Sequence, residues 1–478
     1  MGDFSRKILA LCLIGLTIQS AFCSIFLPAP SPNPETDSWG GSPSPSPENG
    51  SSGTSPPPGS GIPGAPSVPG PSIPETPLAP GIPYEPSAPG PAPSAPESDL
   101  LGKIFDVTKY GAVADGKTES EVAFLSAWSA ACDWNGAPTY LIPQGTFFVK
   151  PITFEGPCYN MYPLRIEIGG TLKAPSDLHA FDEPSWIIIK NLNNFSLTGN
   201  GTGILDGQGK SSWARPGCKS NNRCKQYPPI IRFQRASNAT VSNITLLNSK
   251  QYHMNFLDSS NIVVSHINIT APGNSPNTDG IHISQSSNIE IISSIIGVGD
   301  DCVSIGQGST NINVFGLRCG PGHGISVGSL GKYSREKDVT GVHVRNCTIN
   351  GTTNGVRIKT WPGKHAIKAY NMTFEDIRMI NVSNPIIIDQ KYCPGHACES
   401  DISSVEISNI HYKNIRGTSR TVSAVKLLCS PRVPCKNIQM DDINLTYANG
   451  STSAKSTCAN IKVAHFGMQK PDPCFDSP

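Results

Sequence analysis

Asn261-Ile-Val-Val-Ser-His-Ile-Asn-Ile269 decides how this chain is read. Its apolar residues alternate with polar ones, and β-branched side chains dominate, which argues for a short, half-buried strand. The pattern recurs at Asn238-Ala-Thr-Val-Ser-Asn-Ile-Thr-Leu-Leu247, Asn288-Ile-Glu-Ile-Ile292, Asn311-Ile-Asn-Val-Phe315 and Val342-His-Val-Arg-Asn-Cys-Thr-Ile349. It appears again at Met372-Thr-Phe-Glu-Asp-Ile-Arg-Met-Ile380 and Val405-Glu-Ile-Ser-Asn-Ile410. Successive runs start roughly 20 to 35 residues apart and are broken by Asn, Gly, Ser or Asp. Self-similarity at such a period marks a solenoid, and strands in place of helices make it a parallel β-helix with about three short strands per coil. Asn at repeated corners tolerates the left-handed backbone and can hydrogen-bond along its own stack. A sandwich or barrel also has short strands, but Asn-Gly hairpin dipeptides do not fall regularly between these runs.

One helix is signalled. Thr118-Glu119-Ser120-Glu121 reads as a capping box, and Phe124, Leu125, Trp128 and Cys132 follow on one face. That helix is expected to cover an open end of the coil stack, where exposed edges would invite pairing with another chain. The expected fold is therefore all-β, a single-chain parallel β-helix with an N-terminal capping helix.

Composition divides the chain. Residues 1–23 read as a secretory signal: Arg6 and Lys7 precede an apolar run, and Ala21-Phe22-Cys23 gives small residues at −3 and −1. The run is shorter than the 18 or so apolar residues a spanning helix needs. Residues 24–100 form a Pro/Gly/Ser-rich linker or pro-segment, with 23 of the 44 prolines between Pro28 and Pro96. So little apolar surface cannot offset the entropy of ordering, and an extended tether results. Residues 101–478 have globular composition and form the expected catalytic domain. Net charge is +1, which argues against a general nucleic-acid or membrane surface. Removing the signal leaves 13 cysteines. Proximity pairs them as Cys132/Cys158, Cys218/Cys224, Cys302/Cys319, Cys393/Cys398, Cys429/Cys435 and Cys458/Cys474, leaving Cys347 alone. No Cys or His cluster has zinc spacing, so no metal or cofactor is expected. Sequons at Asn194, Asn238, Asn243, Asn268, Asn371 and Asn444 suit a secreted glycoprotein.

Four strings carry the chemistry: Asn277-Thr278-Asp279, Gly299-Asp300-Asp301, Gly322-His323-Gly324 and Arg357-Ile358-Lys359. Asp279 to Asp301 is 22 residues, Asp301 to His323 is 22, and His323 to Arg357 is 34. Coils of that length stack all four on one face, within a few strand spacings of about 4.8 Å. Asp300 and Asp301 reach one site only if the strand ends or bends, which Gly297 and Gly299 permit. Crowded carboxylates cannot all ionise cheaply, so at least one pKa should rise, giving an acid beside ionised bases. His323 between two glycines can bond an acid and tune it. Arg357 and Lys359 point one way around Ile358, and an anionic ligand would relieve their repulsion. Tyr392, 33 residues after Lys359, is placed to stack on a sugar ring.

Together with Phe105-Asp-Val-Thr-Lys-Tyr-Gly-Ala112, Asp206-Gly-Gln-Gly209 and Cys319-Gly-Pro-Gly-His-Gly-Ile-Ser-Val-Gly-Ser-Leu-Gly331, these strings resemble glycoside hydrolase family 28, the polygalacturonases, in its plant style. The resemblance runs from about Phe105 to the C-terminus. It implies a right-handed parallel β-helix and inverting hydrolysis of α-1,4-galacturonan. Asp300 would protonate the glycosidic oxygen, Asp279 and Asp301 would activate water, and His323 would support the acid. Arg357 and Lys359 would hold galacturonate carboxylates, with Tyr392 and Asn277 lining the subsite. Inversion implies carboxyl separations of about 6.5–9.5 Å. The expected partner is pectin (homogalacturonan), acted on by a secreted monomer in the cell wall, with the Pro-rich segment as a candidate wall tether. Neither nucleic acid nor membrane is an expected partner after signal removal. Rival readings are an exo-acting, rhamnogalacturonan or xylogalacturonan hydrolase, a calcium-dependent pectate lyase, and a wall-binding protein without activity.

Overall fold

The computed structural model describes residues 102–213, 227–394, 398 and 402–474. The secretory, Pro-rich and Cys218/Cys224 expectations fall outside them. Parallel strands dominate, in sheets of 22 and 11 strands wound into a parallel β-helix. The repeated runs quoted above lie on adjacent coils of the larger sheet: Ile262 aligns with Ile289, Ile289 with Ile312, and Ile312 with Val342. These four side chains point inward and are all but fully buried. Burying each such side chain is worth about 1.5–3 kcal/mol, so the inward rows, repeated coil after coil, hold the stack together.

The corner asparagines do what their left-handed tolerance allows. Asn238, Asn261, Asn288 and Asn311 all have φ between 52° and 55°. Their side-chain amides form a ladder, each donating to the residue one coil earlier: Asn238 to Asn193 at 2.7 Å, Asn261 to Asn238 at 3.0 Å, Asn288 to Asn261 at 2.8 Å and Asn311 to Asn288 at 2.6 Å. A residue with a longer side chain could enter αL only with strain and could not span the step.

The N-terminal helix runs over Glu121–Cys132 and packs on the first coil. Phe124 meets Phe147 edge-on, Trp128 packs on Tyr140 and Phe154, and the Trp128 indole donates to the Glu155 carbonyl at 3.1 Å. Two details of the sequence reading are corrected. The capping box does not form, because Ser120 is the N-cap and its hydroxyl donates back to the Thr118 carbonyl instead. Leu125 is 42% exposed, while Ala127 and Ala131 take the buried positions beside Phe124, Trp128 and Cys132. Small side chains there let the helix lie close on the coil. Five of the six expected disulfides are present: Cys132–Cys158, Cys302–Cys319, Cys393–Cys398, Cys429–Cys435 and Cys458–Cys474. Cys347 is free and buried. No helix among the described residues is long and apolar enough to cross a membrane.

Candidate active site

The smaller sheet builds the site. Its strands Ile281–Ser284, Val303–Ile305, Ile325–Leu330 and Asn354–Thr360 are consecutive neighbours. Ile281 aligns with Val303, Val303 with Ile325, and Ile325 with Val356. Asp279, Asp301 and His323 each stand two residues ahead of those aligned positions, so they share one level on three successive coils. The backbone carries the register upstream: Gly280 donates to the Asp301 carbonyl at 2.9 Å, and Cys302 to the Gly324 carbonyl at 2.8 Å.

The chain does bend at the paired acids. The strand Ile295–Gly297 ends just ahead of them. A Cβ at Gly299 would stand 1.9 Å from the Ser275 carbonyl oxygen, so only glycine lets the two loops meet. Thr278 ties the same junction, its hydroxyl accepting from Gly299 N at 3.0 Å. Asp300 and Asp301 therefore leave the backbone toward one region with unequal burial. The Asp300 side chain is 23% exposed and that of Asp301 is 1% exposed.

Each carboxylate has its own partners. Asp300 Oδ1 accepts from Asp301 N at 2.9 Å and lies 2.8 Å from His323 Nδ1. Asp301 Oδ1 accepts from Ser326 Oγ at 2.8 Å and Arg357 Nη2 at 2.7 Å, while Oδ2 accepts from Lys359 Nζ at 2.7 Å. Burial pushes Asp301 up, but Lys359 and Arg357 outweigh it and bring its pKa to about 2. Asp279 goes the other way. Burial and the nearby charges of Asp300 and Asp301 raise it well above the usual carboxylate range, against a 2.6 Å hydrogen bond from Ser304 Oγ. Neighbouring acids thus sit at opposite extremes, which separates proton-holding from charge-holding roles.

The two cations depart from expectation. They do point one way, with Ile358 in the core, yet the anion between them is Asp301 itself. Both are at least nine-tenths buried, and Arg357 also donates from Nε to Ser326 Oγ at 2.9 Å. Tyr392 lies over both heads, its ring centre 5.8 Å from the Arg357 guanidinium carbon and 5.1 Å from Lys359 Nζ, with Trp361 edge-on. Asn277 is exposed with φ 55° and makes no hydrogen bond to the described residues through its side chain, so the structure does not tie it to the cluster. One ligand atom each of Asp300, Asp301 and His323 lies within 4.8 Å of the others. Three such donors could hold a cation, but Asp301 already takes charge-assisted bonds from Lys359 and Arg357, with which an ion would have to compete.

Sequence reading missed a supporting row. His282, Ser304, Ser326 and Arg357 align across four strands, three residues after Asp279, Asp301, His323 and Asn354. His282 Nδ1 lies 2.8 Å from Ser304 Oγ, and its ring stacks on Tyr252 at 4.5 Å. Burial, with Lys359 adding to it, brings His282 down to about 4, so it is neutral. The signal was available: one polar residue between two β-branched ones, as in Val303-Ser304-Ile305 and Ile325-Ser326-Val327.

The family model described as "Glycosyl hydrolases family 28" matches residues 132–467. The chain is 45% identical over 379 residues to a polygalacturonase of Gossypium barbadense, spanning 79% of this chain and 92% of that one. It is 44% identical to an exopolygalacturonase of Zea mays, over 78% of this chain and 91% of that one. Among solved structures, it resembles the polygalacturonase from Erwinia carotovora ssp. carotovora (TM-score 0.58, 25% identity, 73% of this chain and 95% of that one). The fold also matches the hyperthermoactive exopolygalacturonase from Thermotoga maritima (TM-score 0.62, 19% identity, 79% of this chain and 93% of that one).

Proposed function

Because the chain belongs to glycosyl hydrolase family 28, we propose that it is a polygalacturonase that hydrolyses α-1,4-galacturonosyl linkages of de-esterified pectin with inversion. The observation that carries this reading is the division of labour among three carboxylates on two successive coils. Asp300 is the most exposed of them and has His323 on its Oδ1. It protonates the glycosidic oxygen as the bond from anomeric carbon to oxygen breaks. Water adds to that carbon from the opposite side, and its proton passes to Asp279. Burial and like charge make Asp279 a strong proton acceptor once ionised. One proton leaves the cluster and one enters, so its charge is conserved through the step.

Asp301 keeps its charge and supplies the field that favours the cationic sugar of the transition state. Its closeness to Asp300 fits this role better than that of the distant base. With Arg357 and Lys359 spent largely on Asp301, the pair presents a reduced positive charge beneath Tyr392, and a uronate carboxylate completes it.

The test is Asp300→Asn. It should abolish release of reducing ends from polygalacturonate while leaving thermal unfolding and oligogalacturonide binding intact. Turnover near wild type in that variant removes the acid assignment. An ultraviolet-absorbing unsaturated product from the wild type would make the enzyme a lyase instead. Early mid-length oligomers indicate internal cleavage, and monomer alone indicates cleavage from chain ends. The proposal extends to a secreted monomer working in the cell wall, with residues 24–100 as a tether. Wall fractionation of the chain with and without that segment tests the tether.

A further inference from the structure

The polar row beneath the acids continues past them. Arg232 aligns with Asn255, and Asn255 with His282, so the row reads Arg232, Asn255, His282, Ser304, Ser326, Arg357. In its C-terminal part every member is engaged by a neighbour or by a catalytic carboxylate. At its N-terminal end the pattern stops. Arg232 Nε and Asn255 Oδ1 are both buried from solvent and have no hydrogen-bond partner. Asn255 as a whole is 6% exposed.

Arg232 makes no ion pair among the described residues. The stretch 214–226 contains no Asp or Glu that could serve as its counter-ion. Its flanking residues Ile231 and Phe233 fill the core, so the strand fixes its outward direction. An unpaired, half-desolvated guanidinium and an orphaned buried acceptor each cost free energy that folding alone does not recover. The guanidinium, half-exposed on the floor that carries the catalytic acids, asks for an anionic ligand.

We propose that Arg232 forms a second uronate subsite, on the opposite side of the catalytic acids from Arg357 and Lys359. Arg232 binds the carboxylate of a galacturonosyl unit through the half-exposed end of its planar fork, with the buried Asn255 beside it in the row. This deepens the polygalacturonase reading and rests on it. Three strand spacings, about 14 Å, separate Arg232 from Ser304 under Asp279. A disaccharide straddling the cleaved bond puts one ring on each side and does not reach that far. Only longer chains do.

The test uses binding and kinetics together. In an Asp300→Asn background, adding Arg232→Gln should weaken calorimetric affinity for a long oligogalacturonate about tenfold, equivalent to about 1.4 kcal/mol. Affinity for digalacturonate should stay unchanged. Arg232→Lys should recover part of the loss. Affinity for a fully methyl-esterified oligomer should not differ between Gln and Arg at position 232, because no carboxylate is there to be bound. With Asp300 intact, Arg232→Gln should raise KM on polygalacturonate with little change in kcat. Equal losses for short and long ligands would make Arg232 a structural residue and overturn the proposal. Unchanged affinity for all of them would do the same. Failure of the wild type itself to release reducing ends from polygalacturonate would instead defeat the activity on which the subsite depends.

Discussion

Lys359→Ala separates two uses of the same charge. If the ammonium faced substrate alone, its loss would raise KM and little else. In the structure it sits 2.7 Å from Asp301 Oδ2 and is 6% exposed, with Asp301 almost wholly buried. Removing one partner of a buried pair costs about 3–5 kcal/mol, and the lower end applies because Arg357 remains on Oδ1. Two further effects follow in sign. Asp301, held at about 2 against the upward push of burial mainly by Lys359, must rise. Asp279, on which Lys359 also exerts a lowering pull, must rise further. On the proposed mechanism Asp279 must be ionised to take the proton of water, so the acidic limb of the rate profile should move to higher pH and kcat should fall. The stability that Asp301 contributes is present above its unfolded value near 3.8 and lost as pH falls through about 2. In the variant the folded value is higher, so this contribution is smaller and its loss is complete at higher pH. Urea unfolding at neutral pH and initial reducing-end rates across the acid range measure both effects. A raised KM with kcat, stability and acidic limb all unchanged would refute the reasoning.

Gly299→Ala should cost several kcal/mol and most of the activity, since its Cβ meets the Ser275 carbonyl oxygen at 1.9 Å and the Asp300–Asp301 loop must shift; a variant of normal melting temperature and rate would mean that the loop yields freely. Burial lowers His253 and His282 to about 4. The unfolded chain then binds more protons between about 6.5 and 4, and these two groups withdraw stability as pH falls through that window. Asp279, whose folded value is raised, acts with the opposite sign there. Asp279→Asn should therefore steepen the fall in urea midpoint from pH 6.5 to 4.5, and a shallower fall would contradict the placement of these groups.

The coil period and the shared level of the candidate site residues were legible because both follow from register. A repeat near 22 residues returns each string to the same height on the next coil, and the aligned trio Asp279, Asp301 and His323 shows it. The asparagine ladder was legible for the same reason, since one side-chain type recurring at a corner has itself as nearest neighbour. What the sequence left out depends on direction and distance in space. No spacing rule says that Asp301 turns onto Arg357 and Lys359, because a hydrogen bond between residues 56 and 58 apart depends on how deep the strand floor lies. The capping box failed for a related reason. Asp115 Oδ1 accepts from Thr118 N and its Oδ2 accepts from the Thr118 hydroxyl, which holds that residue in the strand Asp115–Glu119 ahead of the helix.

Arg232 shows where such a reading can be extended. In Ile231-Arg232-Phe233 the central residue lies outward on a floor strand, as do His282 in Ile281-His282-Ile283 and Arg357 in Val356-Arg357-Ile358. A charged residue between two core residues has one face left to it, and on this sheet that face is the one with the acids. Sequence alone therefore places the guanidinium on the floor. The structure adds that nothing among the described residues neutralises it. Arg357 occupies the same row with an internal carboxylate for a partner, so the row itself does not require a ligand at every cation. The difference between the two arginines lies in the acid that one has and the other lacks. An Arg357→Gln variant should accordingly lose stability first, and Arg232→Gln should lose affinity for long substrate with its unfolding midpoint preserved.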